Sequence, residues 1–176
     1  MAIGLIVVVL AAIAYMVLQT PPQPSQPPTP VPTTTVRTSE RASAPDFSLQ
    51  DVDGRGFRLS DFRGKVVVLE FMSTTCPHCA NEAPRLAAVW KRFGSTITII
   101  SVDVNAPDTD EVLKAYAVTY DSPWVWARDT ANVASAYGVS GVPTILIIDA
   151  NGHIAYTHSG ETSEETLTQQ ILSTQQ

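Results

Sequence analysis

The chain of 176 residues has two cysteines, Cys76 and Cys79, which stand two residues apart, directly after an apolar run and at the start of a helical pattern. Val66-Val67-Val68-Leu69 reads as a buried strand within Lys65 to Met72, and a helix is expected from Cys76 to about Phe93. Two thiols cannot build the disulfide framework of a small secreted scaffold, and they are too few for a four-ligand structural zinc site. Cys-x-x-Cys at a strand-to-helix junction instead suits redox chemistry. A cysteine at a helix N-terminus has its thiolate stabilised by unpaired backbone N–H groups and by the positive end of the helix dipole, which makes Cys76 the attacking sulfur. Cys79, one turn further on, is close enough to form a disulfide with it and more buried, as suits a resolving thiol. Pro77 fits the first helical turn, where no N–H is needed. His78 either adds positive charge beside the Cys76 sulfur, which makes the couple more oxidising, or is an exposed side chain with no redox role.

With 44% hydrophobic and 16% charged residues the chain is globular in composition and long enough for one packed domain. Its net charge of -6 and the scatter of its 11 basic residues argue against nucleic acid as a partner. Residues 2–18 carry no charge and are nearly all apolar. At about 1.5 Å per residue they just cross a hydrocarbon core of roughly 30 Å. No Lys or Arg precedes the run, so residues 1–18 are read as an uncleaved membrane anchor; Ala12-Ile13-Ala14 keeps a cleaved signal peptide as the alternative. Arg37 and Arg41 lie too far along the chain to decide the orientation. Residues 19–44, with seven prolines between Pro21 and Pro32 and then Thr and Ser, read as an extended stalk.

From Pro45 to Gln176 strands alternate with amphipathic helices, the mark of an α/β layer fold. Phe47 to Leu49 and Phe57 to Leu59 flank Asp53-Gly54, a hairpin signal. Thr96 to Val104 is a second buried strand, and Asp108 with Glu111 suggests a capping box for a helix to about Thr119. A short strand near Trp124 to Trp126 and a helix from about Asp129 to Tyr137 follow. Thr144 to Ile148 and His153 to Thr157 flank Asn151-Gly152, which signals a type I′ hairpin, and Ser163 opens a last helix. Trp124, Trp126, Tyr116 and Tyr120 are expected to pack the core.

Four stretches carry a family likeness: Pro45-Asp46-Phe47-Ser48-Leu49; Leu59 to Leu69; Gly141-Val142-Pro143-Thr144; and Asp149-Ala150-Asn151-Gly152. With the cysteine motif, residues 45–160 resemble the thioredoxin superfamily, and within it the TlpA/ResA-like membrane-anchored thiol-disulfide oxidoreductases. The resemblance implies a three-layer α/β/α thioredoxin fold with a central mixed sheet and an N-terminal β-hairpin extension. It implies a cis-proline at Pro143, with Val142 beside it offering backbone to a bound substrate chain. Glu70, six residues before Cys76, matches a buried acid that shuttles the proton of Cys79, unless the strand register leaves it exposed. Glu82, six residues after Cys76, matches an acid near the active site or is an ordinary solvated helix residue. Pro84 matches a structural kink in the active-site helix.

The likeness further implies extracytoplasmic protein thiols and disulfides as substrates, apocytochrome c among the clients, and a membrane thiol-redox partner that resets the pair. The redox-active disulfide needs no other cofactor and no metal. Two departures stand out: Thr75 replaces the tryptophan common before the first cysteine, and the dipeptide Pro-His is that of strongly oxidising members such as DsbA. The direction of electron flow is therefore open.

Two rival functions would use some of the same residues. A peroxiredoxin-like peroxidase would place Ser73 in the threonine position before its cysteine and use a distant arginine, for which Arg128 is the candidate. A Sco-like copper metallochaperone would add His153 or His158 to the two thiolates. The peroxidase lacks the expected upstream proline, and the copper family spaces its cysteines by three residues.

Overall fold

The computed structural model describes residues 41–175; the segments read as anchor and most of the stalk lie outside the described residues. Five strands form the main sheet in the order β5-β4-β3-β6-β7: β3 (Val66–Met72), β4 (Ile97–Asp103), β5 (Val125–Arg128), β6 (Thr144–Ile148) and β7 (Ile154–Ser159). β3, β4 and β5 run parallel, whereas β6 lies antiparallel to β3 and β7 to β6. The expected mixed sheet is present. All seven residues of β3 and all seven of β4 are buried, the polar Glu70, Thr98, Ser101 and Asp103 among them, as happens when both faces of a mostly apolar strand are covered.

Alternation along β3 divides the core. Val66 and Val68 face helices α1 (Pro77–Phe93) and α4 (Glu164–Thr174), packing with Leu86, Val89, Leu167 and Ile171. Met72 continues that face toward helix α2 (Asp110–Thr119), meeting Leu113 and Trp126. Val67, Leu69 and Phe71 face the other way, against Leu49, Leu59 and the single helical turn α3 (Val133–Ala136). Leu49 belongs to the N-terminal hairpin of β1 (Ser48–Gln50) and β2 (Gly56–Arg58), the extension that the resemblance implied. Pairing begins before Pro45, since Ser43 bridges to His153 and the Ala44 N–H donates to the Gly152 carbonyl at 2.9 Å.

Three local expectations are corrected. The turn after β6 is not type I′, because Gly152 (φ 86°) takes the left-handed conformation and Asn151 does not. Asp149 accepts the N–H groups of Asn151 and His153, and Gly152 N–H closes on the Asp149 carbonyl at 2.8 Å, which makes the longer bulged turn. Asp51 and Gly54 build the same turn in the first hairpin. Asp108 does not cap α2; Thr109 does, accepting the Val112 N–H at 3.4 Å, because Asp108 is drawn into a hydrogen bond from Thr74. The helix expected over 129–137 shrinks to four residues, since Asn132 sits at φ 57° and the Asp129 carboxylate takes the Val133 and Ala134 N–H groups.

Leu86 is fully buried between α1 and the sheet. Leu86→Ala is expected to destabilise the domain by about 3 kcal/mol, read as a lower urea midpoint at unchanged slope. A loss under about 1 kcal/mol would contradict this packing.

Candidate active site

Helix α1 starts on a sulfur. Cys76 is the N-cap residue, with extended backbone (φ -87°, ψ 117°), and its Sγ accepts the Cys79 N–H at 3.3 Å. Pro77 occupies the first helical position as expected. Both cysteines are free thiols, Cys76 partly exposed and Cys79 wholly buried. Burial pushes the Cys79 thiol well above its usual range, and its hydrogen bond with Cys76 adds to this, as does the nearby Glu70.

Facing Cys76 is the loop before β6. The Cys76 thiol donates to the Val142 carbonyl at 3.6 Å, and the Val142–Pro143 peptide is cis. Pro143 is buried while Val142 is only partly so. The cis-proline and its neighbour thus stand against the Cys76 sulfur.

Glu70 is 2% exposed. Its place in β3 puts it on the face of Val68 and Met72, toward α1, so the exposed alternative falls away. Burial lifts its carboxyl to about 8, against the pull of the Ser101 hydroxyl, which donates to Oε2 at 2.5 Å. Ser101 is the register partner of Glu70 on β4 and in turn accepts the Trp124 indole N–H at 3.0 Å. Trp124, read from sequence as core packing alone, therefore also orders the acid.

Glu82 is fully buried, so it is not a solvated helix residue. Its Oε2 accepts the Thr162 N–H at 2.7 Å and an Arg85 N–H at 3.4 Å, while Oε1 has no partner among the described residues. Burial raises its carboxyl above the ordinary range. Pro84 lies exposed within α1, which runs on past it. His78 has a side chain 70% exposed, and its Nδ1 lies 2.7 Å from Glu161. Glu161 was not legible in the sequence, because nothing local marks a residue that far along the chain as a neighbour of His78.

The loop before Cys76 is fixed separately. Ser73 and Thr75 hydroxyls bond at 3.0 Å, and Thr74 donates to Asp108. Burial raises the neighbouring Asp103 carboxyl to about 7. Arg128 is paired with Asp110 at 2.8 Å, and His153 with Asp149 at 3.5 Å. His158 is exposed on the second half of β7, stacked near Tyr156. Among the described residues no three His, Cys, Asp or Glu side chains are gathered as a metal site would need.

Comparison with known proteins decides the family. Residues 41–157 match the AhpC/TSA family. The thiol-disulfide oxidoreductase ResA of Geobacillus thermodenitrificans is 34% identical over 137 residues, covering 75% of this chain and 76% of that one. The chain belongs to this family, as one of its ResA-like members. Among solved structures, a thiol:disulfide interchange protein of the thioredoxin family from Chlorobium tepidum superposes with a TM-score of 0.69 at 26% identity, covering 76% of this chain and 96% of that one. The pneumococcal exposed lipoprotein thioredoxin from Streptococcus pneumoniae gives 0.64 at 27% identity, over 73% and 99%. This ResA-like protein is a thiol-disulfide oxidoreductase on a thioredoxin fold, with Cys76 and Cys79 as its Cys-x-x-Cys pair.

The raised carboxyl of Glu70 carries a sign for stability. The folded chain holds a proton there that the unfolded chain, at the ordinary 4.5, releases, so this group costs stability as pH rises from 4.5 to about 8. Glu70→Gln is expected to stabilise the protein little near pH 5 and most above about pH 8, read by urea unfolding at both. An equal gain at the two pH values would show that Glu70 is not protonated in the fold.

Proposed function

We propose that the protein exchanges disulfides with extracytoplasmic protein substrates, with Cys76 as the attacking thiolate and Cys79 as the resolving thiol. The observation that carries the assignment is the split in exposure across one helical turn. The Cys76 sulfur caps α1 and opens to the solvent beside Val142, whereas Cys79 is wholly enclosed.

In the reducing direction the Cys76 thiolate attacks one sulfur of the substrate disulfide. That S–S bond breaks, a mixed disulfide forms, and the first substrate thiolate leaves and takes a proton. Cys79 then loses its proton and attacks the Cys76 sulfur, which forms the Cys76–Cys79 disulfide and frees the second substrate thiolate. The substrate gains two electrons from the pair and two protons, one from Cys79 and one from solvent, where the ionised Cys76 had released it; the protein is left as the disulfide. The same steps in reverse donate a disulfide.

Glu70 suits the proton transfer from Cys79. A carboxyl held near 8 by burial is poised between its acid and base forms close to neutrality, and it lies on the Cys79 side of the sheet. Substrate backbone would lie along Val142, displacing the Cys76 contact with its carbonyl. Glu82 would act from beneath α1 by holding the helix to the Thr162 backbone.

An outer location is supported by the uncharged apolar run 2–18 and by the pneumococcal neighbour, described as an exposed lipoprotein. Among the described residues no helix is long and apolar enough to cross a membrane. A membrane-held thiol partner would renew the pair after each turnover, and apocytochrome c is one client class to test.

The roles separate by trapping. Cys79→Ser is expected to accumulate mixed disulfides through Cys76 with protein substrates, seen on non-reducing gels and located by mass spectrometry. Cys76→Ser is expected to accumulate none. The reverse pattern would exchange the two roles.

A further inference from the structure

Three consecutive residues after β7 each hold a different part of the site. Gly160 N–H donates to the Pro143 carbonyl at 2.8 Å, and Thr162 N–H donates to Glu82 at 2.7 Å. Between them stands Glu161. Thr162 is 3% exposed and Ser163 caps α4 immediately afterwards, so the segment is tied at both ends and brings the Glu161 carboxylate to one face of α1. On that face it meets His78, Asn81 and Arg85, whose spacing of three and four residues forms a single stripe. Oε1 lies 2.7 Å from His78 Nδ1 and 3.0 Å from Asn81 Nδ2, and Oε2 lies 2.8 Å from Arg85 Nη2. The hydrogen bond from His78 and those from Asn81 and Arg85 hold this carboxyl down to about 2, so it is an anion at any working pH.

We propose that Glu161 is a positioning residue that sets the reduction potential of the Cys76–Cys79 couple by neutralising His78. The effect is electrostatic and rests on the thiol-disulfide reading above. Only the reduced couple can carry negative charge, on the Cys76 sulfur when that thiol ionises, and the disulfide carries none. Positive charge at the helix start therefore favours the reduced form and makes the couple oxidising, and an anion bonded to that positive charge reverses the effect. His78 follows Cys76 by two residues, and Arg85 lies between Glu161 and the buried Glu82. The Glu161 carboxylate offsets one of the two positive charges that a protonated His78 and Arg85 place on the stripe; without it both stand uncompensated on that face. Glu161 thereby draws a Pro-His pair, oxidising by composition, toward the reducing range that a ResA-like body leads one to expect.

The test is the equilibrium in which one Cys76–Cys79 disulfide and two glutathione thiols give the dithiol and one glutathione disulfide. It is measured on the full chain for the wild type, Glu161→Gln, His78→Ala and the double variant, at about pH 6. The amide introduced by Glu161→Gln keeps the side chain's shape and one acceptor oxygen, enough for either Asn81 or Arg85, and the His78→Ala background separates the charge acting through His78 from a lost contact. Glu161→Gln is expected to move the equilibrium about three- to tenfold toward the dithiol, about 15–30 mV less negative. In the His78→Ala background less than half of that shift should remain. Because His78 is 70% exposed, the shift should also shrink as salt rises toward about 1 M. No shift, or one of equal size without His78, would overturn the inference. A wild-type pair that does not exchange with glutathione at all would instead overturn the redox roles assigned to the two cysteines.

Discussion

The capping of α1 by the Cys76 sulfur is the contact on which the site depends. A helix start leaves backbone N–H groups without partners, and here the Cys79 N–H finds the sulfur. That bond fixes where the helix begins, and the helix in turn decides the fate of each thiol. The residue at its cap looks outward at the Val142 carbonyl, and the residue one turn later is driven beneath the surface with Met72, Leu113 and Trp126. The asymmetry needed for two-step exchange is therefore a result of helix geometry, with no separate device to protect the second sulfur.

Beneath the pair, the sheet supplies an acid at a place where acids are costly. Glu70 is held because β3 is central and parallel to β4, which brings Ser101 into register to satisfy one oxygen while solvent is excluded from the rest. A buried carboxyl with one hydrogen bond favours its neutral form, and in the exchange proposed above that same penalty would fit it to take the proton of Cys79. Burial raises Glu82 as well, with the Thr162 N–H and Arg85 opposing the shift.

The order of strands and helices was legible because the buried strands are long apolar runs and the cysteine motif falls between strand and helix. The burial of Glu70 was open in the sequence, since a register shift of one residue would have turned it to the opposite face. The structure closes that question through Val68 and Met72, its neighbours on the same side. Asp108 misled as a cap because its partner, Thr74, lies in a loop remote along the chain. Glu161 left no trace at all, since the contact to His78 exists only once β7 returns beside α1. The turn type after β6 failed for a local reason: the Asp149 carboxylate captures two backbone N–H groups and favours a wider turn.

The most direct test of the two thiol roles is the rate of alkylation of each cysteine in the reduced protein, resolved by mass spectrometry after a brief exposure to iodoacetamide. Label should appear on Cys76 at least about tenfold faster than on Cys79, since only the thiolate at an accessible helix start reacts readily. Comparable rates, or faster labelling of Cys79, would contradict the division of labour between the two sulfurs.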